Sequence, residues 1–309
     1  NPAAEYQTSQ LNGMTHTTLI HDFVKGLAPA LTAMDFVMPV NVNLNQSCNA
    51  YYTTGNPSIN FYRAGGGCPN TAYASVIYHE YGHGITDQVP GGPDSGDYHE
   101  GMGDAVATLI ENSPCLGPDF QGQGNGCLRN VDTSNLNYPC SGEAHTCGLV
   151  IGGAFWDLRT ALIASDGATA GLQLARQFFI GQEIVGNHRI HPSVTIDLLT
   201  LDDNNNDIYD GTPHYNQIDS GFGAHNLPAP ELDEMRSEGF TGRALRGAEV
   251  RTEVGTDHYP GAIVVEESGM IHPGRYVGAI ADAMLAAGVD AHVRTPVLGI
   301  DVAGPERVV

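Results

Sequence analysis

The pattern that most constrains this chain is a pair of histidines four residues apart, in the run His79-Glu-Tyr-Gly-His83. The stretch 71–78 before it contains no glycine or proline and predicts a helix that continues into the pattern. On a helix, both imidazoles project from one face and can hold one zinc ion. Glu80 lies close enough on the same turn to take a proton from a water on that ion.

A second run, Glu100-Gly-Met-Gly-Asp104, repeats the spacing of four and supplies carboxylates. We expect Glu100 to be the third metal ligand, since such a site needs one more donor than the two imidazoles. Asp104 is expected to reach an imidazole N–H and so to fix the orientation of that ring. The alternative is that both runs lie on surface helices whose histidines and carboxylates are only solvated.

The charge of the chain excludes some classes of partner. Its 35 acidic residues against 13 Lys and Arg give a formal net charge of −22. Nucleic-acid binding needs Lys and Arg to neutralise phosphates, so we expect no nucleic-acid partner. The same acidity disfavours anionic membranes, and no apolar run approaches the length of a membrane span. We expect a monomer that has no membrane partner.

Six cysteines point to an oxidising environment. Their spacing suggests three local bridges, Cys48–Cys68, Cys115–Cys127 and Cys140–Cys147, chosen by proximity from the 15 pairings that six cysteines allow. The segment 115–147 is rich in Gly, Pro and Asn and would gain from cross-links. We therefore expect a secreted, extracellular protein. The alternative is a cytosolic enzyme with buried free thiols.

Hydrophobic periodicity places the remaining elements. It predicts helices over 9–31, 149–164 and 170–185, and strands within 36–62 before the histidine pattern. The segment 202–210 is dense in Asp and Asn, whose oxygens suit Ca²⁺ as a further candidate cofactor. It lacks the sixth-position glycine and distal glutamate of an EF-hand, so a solvated loop is an equal alternative.

With these motifs, about residues 35–226 resemble the thermolysin-like gluzincin zinc metallopeptidases, and among them most closely the fungalysin-like secreted enzymes. The resemblance rests on the runs His79 to Asp87, Glu100 to Asp104, Asn49-Ala-Tyr-Tyr, Gly153 to Arg159 and Asp210 to Asn216. It implies an α+β, two-lobed zincin fold. A β-rich N-terminal lobe would lead into the metal-binding helix, and a mainly α C-terminal lobe would follow, so that residues 1–230 form the catalytic domain.

The resemblance also implies a role for each matched residue. Zn²⁺ would be held by His79, His83 and Glu100, and Glu80 would be the general base. Asp104 would orient His79, and His214 would donate a hydrogen bond to the transition state. Asn49 and Ala50 would hold an extended substrate by strand addition. For His214 the alternatives are a loop histidine without a catalytic role, or replacement in that role by His188, His191 or His225.

The C-terminal end does not fit this family. From about residue 262 to 309 the chain resembles a fragment of FAD-dependent amino-acid oxidoreductases. No Gly-x-Gly-x-x-Gly sequence opens a strand–helix unit anywhere in the chain, so independent FAD binding is not expected. Residues 231–309 are therefore treated as an extension of uncertain fold.

Three functions remain open at this point. The leading hypothesis is a secreted zinc endopeptidase, a hydrolase acting on protein or peptide substrates. The second is an extracellular binding protein that holds zinc without turnover. The third is a flavin oxidoreductase fragment, which depends on the C-terminal resemblance alone.

Overall fold

A computed structural model of the chain describes residues 2–92, 95–133, 135–231, 242–246 and 261–265. The chain divides into two units, Asn1–Val264 and Val265–Val309, and every described residue except Val265 belongs to the first. The predicted domain boundary after residue 230 stays a prediction.

The described part of the chain is a mixture of helices and short strands. Its α-helices are α1 Pro2–Leu27, α2 Ala74–Gln88, α3 Gly96–Glu111, α4 Ala144–Asp166, α5 Ala168–Val185, α6 Ser193–Asp202 and α7 Tyr215–Gly223. Its strands are β1 Val40–Leu44, β2 Ala50–Thr53, β3 Ser58–Tyr62, β4 Cys115–Pro118, β5 Cys127–Asn130, β6 Gly242–Arg246 and β7 Gly261–Val265. Two 3-10 turns lie at Thr32–Met34 and Ile208–Asp210. The α+β class agrees with expectation, and the two-lobed zincin arrangement stays a prediction.

A small sheet lies between α1 and α2 in the sequence, as the strand pattern predicted. Its order is β1-β3-β2, with β1 parallel to β3 and β2 antiparallel to β3. α1 lies against β1 and buries Ile20 and Val24. α1 ends at Leu27 and not at residue 31, because Pro29 disfavours helical backbone in the residue before it.

α2 and α3 cross at unusually close range. A Cβ on Gly82 would lie only 2.8 Å from Cα of Gly103, so glycine at both positions lets the two backbones approach. α3 in turn packs on α4, whose apolar residues form much of the core, among them Phe155 and Leu158. The crossing of α2 and α3 brings the two sequence motifs together.

α4 is the one described helix that is long and apolar enough to cross a membrane. In this fold 61% of its most apolar stretch is buried by neighbouring elements, which is the behaviour of a core helix. It begins at Ala144, earlier than predicted, because the Glu143 carboxylate accepts a hydrogen bond from the backbone N–H of Thr146.

The three cysteine pairings predicted from proximity are the ones present. Cys48 is bonded to Cys68, Cys115 to Cys127, and Cys140 to Cys147. Each bridge closes a short loop between or beside regular elements. Three disulfides are compatible with an extracellular protein.

A buried carboxyl group connects α5 to the histidine-bearing helix α2. Glu183 is 0% exposed, and its Oε1 accepts a hydrogen bond from Thr86 Oγ1 at 2.8 Å. Burial raises the pKa of Glu183 to about 8. The folded protein therefore holds a proton at neutral pH that the unfolded chain releases near the ordinary pKa of glutamate.

This raised pKa makes a stability prediction. Because the folded state binds the extra proton, the free energy of unfolding should fall as pH rises from about 5 to about 8, by up to roughly 3–4 kcal/mol. Glu183→Gln should remove that slope and be more stable than the wild type at pH 8. Urea unfolding across this pH range would measure it, with the exposed Glu231→Gln as control. An unchanged slope in Glu183→Gln would contradict the assignment.

Candidate metal centre

Three side chains from the two crossing helices form a cluster able to hold a metal ion. One ligand atom each from His79, His83 and Glu100 lies within 4.8 Å of the others. Glu100 Oε2 is 3.2 Å from His79 Nε2 and 3.7 Å from His83 Nε2. No other three His, Cys, Asp or Glu side chains come this close in the part of the chain that the structure describes.

Helix geometry explains why these residues meet. α2 projects His79 and His83 from one face because they are four residues apart. α3 begins at Gly96, so Glu100 lies within its second turn and faces α2 at the glycine crossing. Two imidazoles and one carboxylate form the donor set of a reactive metal site, because they leave the fourth tetrahedral position free. The donors therefore fit a divalent transition metal.

Asp104 connects this cluster to an arginine that the sequence did not indicate. Its Oδ1 lies 2.8 Å from His79 Nδ1. Arg129, on β5, binds the same carboxylate with two hydrogen bonds, Nε to Oδ2 at 2.6 Å and Nη2 to Oδ1 at 2.7 Å. Asp104 is 0% exposed, so this bidentate pair is strong and geometrically restrictive. Asp104 thus stands where it can orient His79.

The ionisable groups of the site influence one another. Burial disfavours the charged form of His79, but its contacts with Asp104 and Glu100 outweigh this and raise its pKa to about 10. For His83, burial and the neighbouring imidazoles lower the pKa well below its ordinary value. Burial raises the pKa of Glu80 to about 7. Glu80 Oε2 is buried and has no hydrogen-bond partner among the described residues.

The cluster forms part of the wall of a cavity of about 440 Å³. Part of the wall is made by Asn49, which precedes β2, and by Ala50, Tyr51 and Tyr52 of β2. β2 is an edge strand of the sheet that the described strands form. The position of Asn49 and Ala50 is therefore compatible with holding an extended ligand, and that role stays a prediction.

Another part of the wall is apolar. It comes from the β4–β5 hairpin and the start of α2, with Leu116, Phe120, Leu128 and Val76. Arg129 also lines the cavity, but its guanidinium is already paired with Asp104. The hairpin therefore offers a hydrophobic surface next to the metal ligands.

His214 does not lie in this cavity. Its Nδ1 is 2.6 Å from Asp202 Oδ1, and its backbone N–H donates to Asp202 Oδ2 at 2.5 Å. Its Nε2 is 3.5 Å from Asp166 at the end of α4. The structure places this histidine at the start of α7, where it is held by carboxylates and is not brought to the metal ligands. The three alternatives, His188, His191 and His225, do not line the cavity either.

His145 lies in the cavity wall instead, and sequence reasoning missed it. Its Nε2 is 3.3 Å from Glu100 Oε2, and its Nδ1 contacts the carboxylate of Glu143. Because the predicted α4 began at residue 149, His145 was assigned to a loop. The short pattern Glu143-Ala-His145 before the apolar helix was the available signal. His99 was also missed: its ring lies 4.4 Å from that of His83.

The acidic segment 202–210 uses its oxygens for internal contacts. The Asp203 carboxylate accepts from the Asn205 backbone N–H, and the Asn205 amide binds Asp210. Asp202 is engaged with His214. Among the described residues no metal-binding group of three is found in this segment, so the structure does not support Ca²⁺ there.

The Asp104–Arg129 pair makes a prediction that does not require a metal. Asp104→Asn should lower the free energy of unfolding by about 3–5 kcal/mol, because Arg129 would keep its charge without a carboxylate in a buried position. Chemical denaturation would measure the loss. The double variant with Arg129→Gln should lose less than the sum of the two single variants. A loss below about 1 kcal/mol in Asp104→Asn would contradict a strong buried pair.

One comparison with known proteins gives a match. Residues 215–309 match the sequence profile of the family described as FAD dependent oxidoreductase. The matched range contains the C-terminal stretch that resembled such enzymes in sequence and also includes α7. No curated protein matches the chain significantly. The chain therefore carries a C-terminal segment similar to this family.

The match contradicts two predictions from the sequence. The expected enzyme class, a zinc metalloendopeptidase, is wrong by this comparison, since the matched family is one of oxidoreductases. The expected cofactors, Zn²⁺ and a further Ca²⁺, are wrong by it as well, since the family depends on FAD. The physical reason is that ligand spacing on a helix specifies which side chains can meet a metal and does not by itself specify a reaction.

Proposed function

We propose that the chain binds a divalent transition-metal ion at His79, His83 and Glu100 and activates water in the adjoining cavity. The observation that carries this proposal is the approach of the three ligand atoms to within 4.8 Å of one another in a cavity wall. A metal ion bound by two imidazoles and a carboxylate lowers the pKa of a coordinated water to near neutrality.

The chain's own residues would then have distinct tasks. Glu80 would accept the proton at its buried Oε2, which has no partner among the described residues. Burial raises its pKa above the ordinary value of glutamate, the direction that suits proton acceptance by a general base. Asp104, held by Arg129, would fix the ring of His79.

His145 would supply a hydrogen-bond donor on the other side of Glu100. Its Nδ1 contacts Glu143 and its Nε2 faces the Glu100 carboxylate in the cavity wall, so both ring nitrogens donate only in the imidazolium form. A donor in this position can stabilise negative charge that develops on a ligand. An extended polypeptide lying along the edge strand β2 is the partner we propose, in an extracellular setting that three disulfides permit.

Metal binding is the first test. Titration with Co²⁺, followed by its visible absorption, should show one ion per chain, because the described residues offer one complete donor set. His83→Ala should abolish binding by removing one ligand. His214→Ala is the matched control and should bind normally, since that histidine lies outside the cavity. Equal affinity in wild type and His83→Ala would exclude the proposed ligands.

Water activation is tested separately at Glu80. Glu80→Gln should retain the metal ion and lose about 10²–10⁴-fold in the rate of hydrolysis of an activated ester probe, because the amide cannot accept the proton. Steady-state rates and Co²⁺ titration of the same preparation would give both readouts. An unchanged rate in this variant would remove Glu80 from the proposed role.

A second candidate function follows from the family match. Flavin-dependent oxidoreduction by the C-terminal segment is favoured by the similarity of residues 215–309 to FAD dependent oxidoreductases. The described part of that range includes α7, β6 and β7. A flavin dinucleotide needs a helix N-terminus and a glycine-lined backbone to hold its pyrophosphate.

The described residues do not fit that requirement. The N-terminus of α7 is engaged by the Asp202 carboxylate, which binds His214 at both its backbone N–H and its Nδ1 and would repel a pyrophosphate. Gly221 within α7 packs on Leu158, where a Cβ would lie 2.6 Å from the backbone nitrogen. The described part of this segment therefore does not fit the pyrophosphate of FAD.

Flavin binding is tested on the whole chain. After incubation with FAD and removal of the excess, we expect no absorbance near roughly 450 nm, the region expected of bound flavin. This expectation follows from the occupied N-terminus of α7 and the missing glycine fingerprint. A stoichiometric flavin spectrum would favour the second candidate over the first.

A further inference from the structure

We propose that the Cys115–Cys127 disulfide positions the metal ligand His79 through Arg129 and Asp104, and that metal affinity therefore depends on the oxidation state of this bridge. The inference rests on the proposed metal site. It adds the Cys115–Cys127 disulfide, which is distant from His79 and His83 in sequence, to the groups that hold the metal ligands in position.

The disulfide belongs to the hairpin that carries Arg129. In the antiparallel β4–β5 ladder, Cys115 pairs with Asn130, Leu116 with Arg129 and Pro118 with Cys127. The bridge thus connects the first residue of β4 to the first residue of β5, two positions before Arg129. Because it joins the two strands covalently, it limits sliding of β5 along β4.

The hairpin ladder is itself short, and the further contacts fall mainly on β4 and not on the strand of Arg129: the Gly117 N–H donates to Ser75 Oγ, and the Tyr73 hydroxyl donates to the Pro118 carbonyl. Its two strands have four residues each, and two-stranded hairpins of this size are marginal in water. The connecting loop contains Gly122, Gly124 and Gly126, all with positive φ, so its own backbone is permissive. The Asp119 carboxylate organises this loop by accepting from the backbone N–H groups of Gly124 and Gly126. The cross-link is thus the covalent constraint on the strand that bears Arg129.

From Arg129 the contacts lead directly to the metal ligands. Its guanidinium holds both oxygens of Asp104 at 2.6 and 2.7 Å, and Asp104 Oδ1 lies 2.8 Å from His79 Nδ1. A change in the register of β5 by one residue would turn Arg129 to the other face of the hairpin and remove this pair. His79 would then lose the carboxylate that orients its ring.

The bridge can be opened by a dithiol. Both cysteines are partly exposed, so a thiolate of the dithiol can attack one sulfur. The S–S bond breaks, the other cysteine leaves as a thiolate, and a mixed disulfide forms. The second thiol of the reagent then displaces the attached cysteine, so that Cys115 and Cys127 are both reduced and the dithiol is oxidised to its disulfide.

The test compares Co²⁺ affinity in disulfide variants of the full chain, measured by competition with a chelator. C115S/C127S should bind about 10–100-fold more weakly than the wild type, the loss typical of removing support for a metal ligand. C48S/C68S, which removes the bridge beside β2 and β3, should stay within about threefold. Dithiol treatment of the wild type should reproduce the loss, and reoxidation should restore the affinity.

Arg129→Gln separates positioning from general loss of structure, because it retains the disulfide. It should lose affinity to the same extent as C115S/C127S, and combining the changes should add little further. Wild-type affinity in Arg129→Gln, or an equal loss in C48S/C68S, would overturn the inference. If the wild type itself binds no Co²⁺, the proposed function fails instead, which keeps the two results distinct.

Discussion

The geometry of the site depends on one buried ion pair, in which Asp104 is held by Arg129 and in turn faces His79. A carboxylate that is fully buried is stable as an anion only if it is paired and hydrogen-bonded, and Arg129 supplies both the charge and two donors. The pair joins α3 to the β4–β5 hairpin, and through His79 it reaches α2. Three elements that are separate in sequence are thereby held in one arrangement around the metal ligands.

The site and the family match belong to different segments of the chain. The metal ligands lie on α2 and α3, whereas the similarity to FAD dependent oxidoreductases covers residues 215–309. The matched range begins with α7, whose Ile218 and Phe222 are buried in the same core as Phe155 of α4. A helix that contributes to this core is thus also the first element of the matched range. Its N-terminus is closed to an anionic cofactor by Asp202.

Much of the local structure could be predicted because it depends on short-range physics. The spacing of four in both motifs, the strands before them and the three proximal disulfides all follow from helix period, alternation and loop closure. The errors arose where a side-chain contact that hydrophobic periodicity does not register decided the outcome. His214 was expected at the site from a local resemblance, but Asp202 holds it at α7. His145 was overlooked because Glu143 extends α4 by an N-cap that periodicity does not show.

By itself the sequence determined which residues could serve as ligands, since the positions of His79, His83, Glu100 and Asp104 on helices are a matter of spacing. It also determined the acidic character of the chain and the cysteines available for cross-linking. Tertiary structure alone decided that α2 and α3 cross at Gly82 and Gly103, that Arg129 approaches Asp104 from a hairpin, and that His145 and not His214 enters the cavity. The reason is that these contacts join residues far apart in the chain, where their distance depends on how whole elements pack and not on local conformational preference.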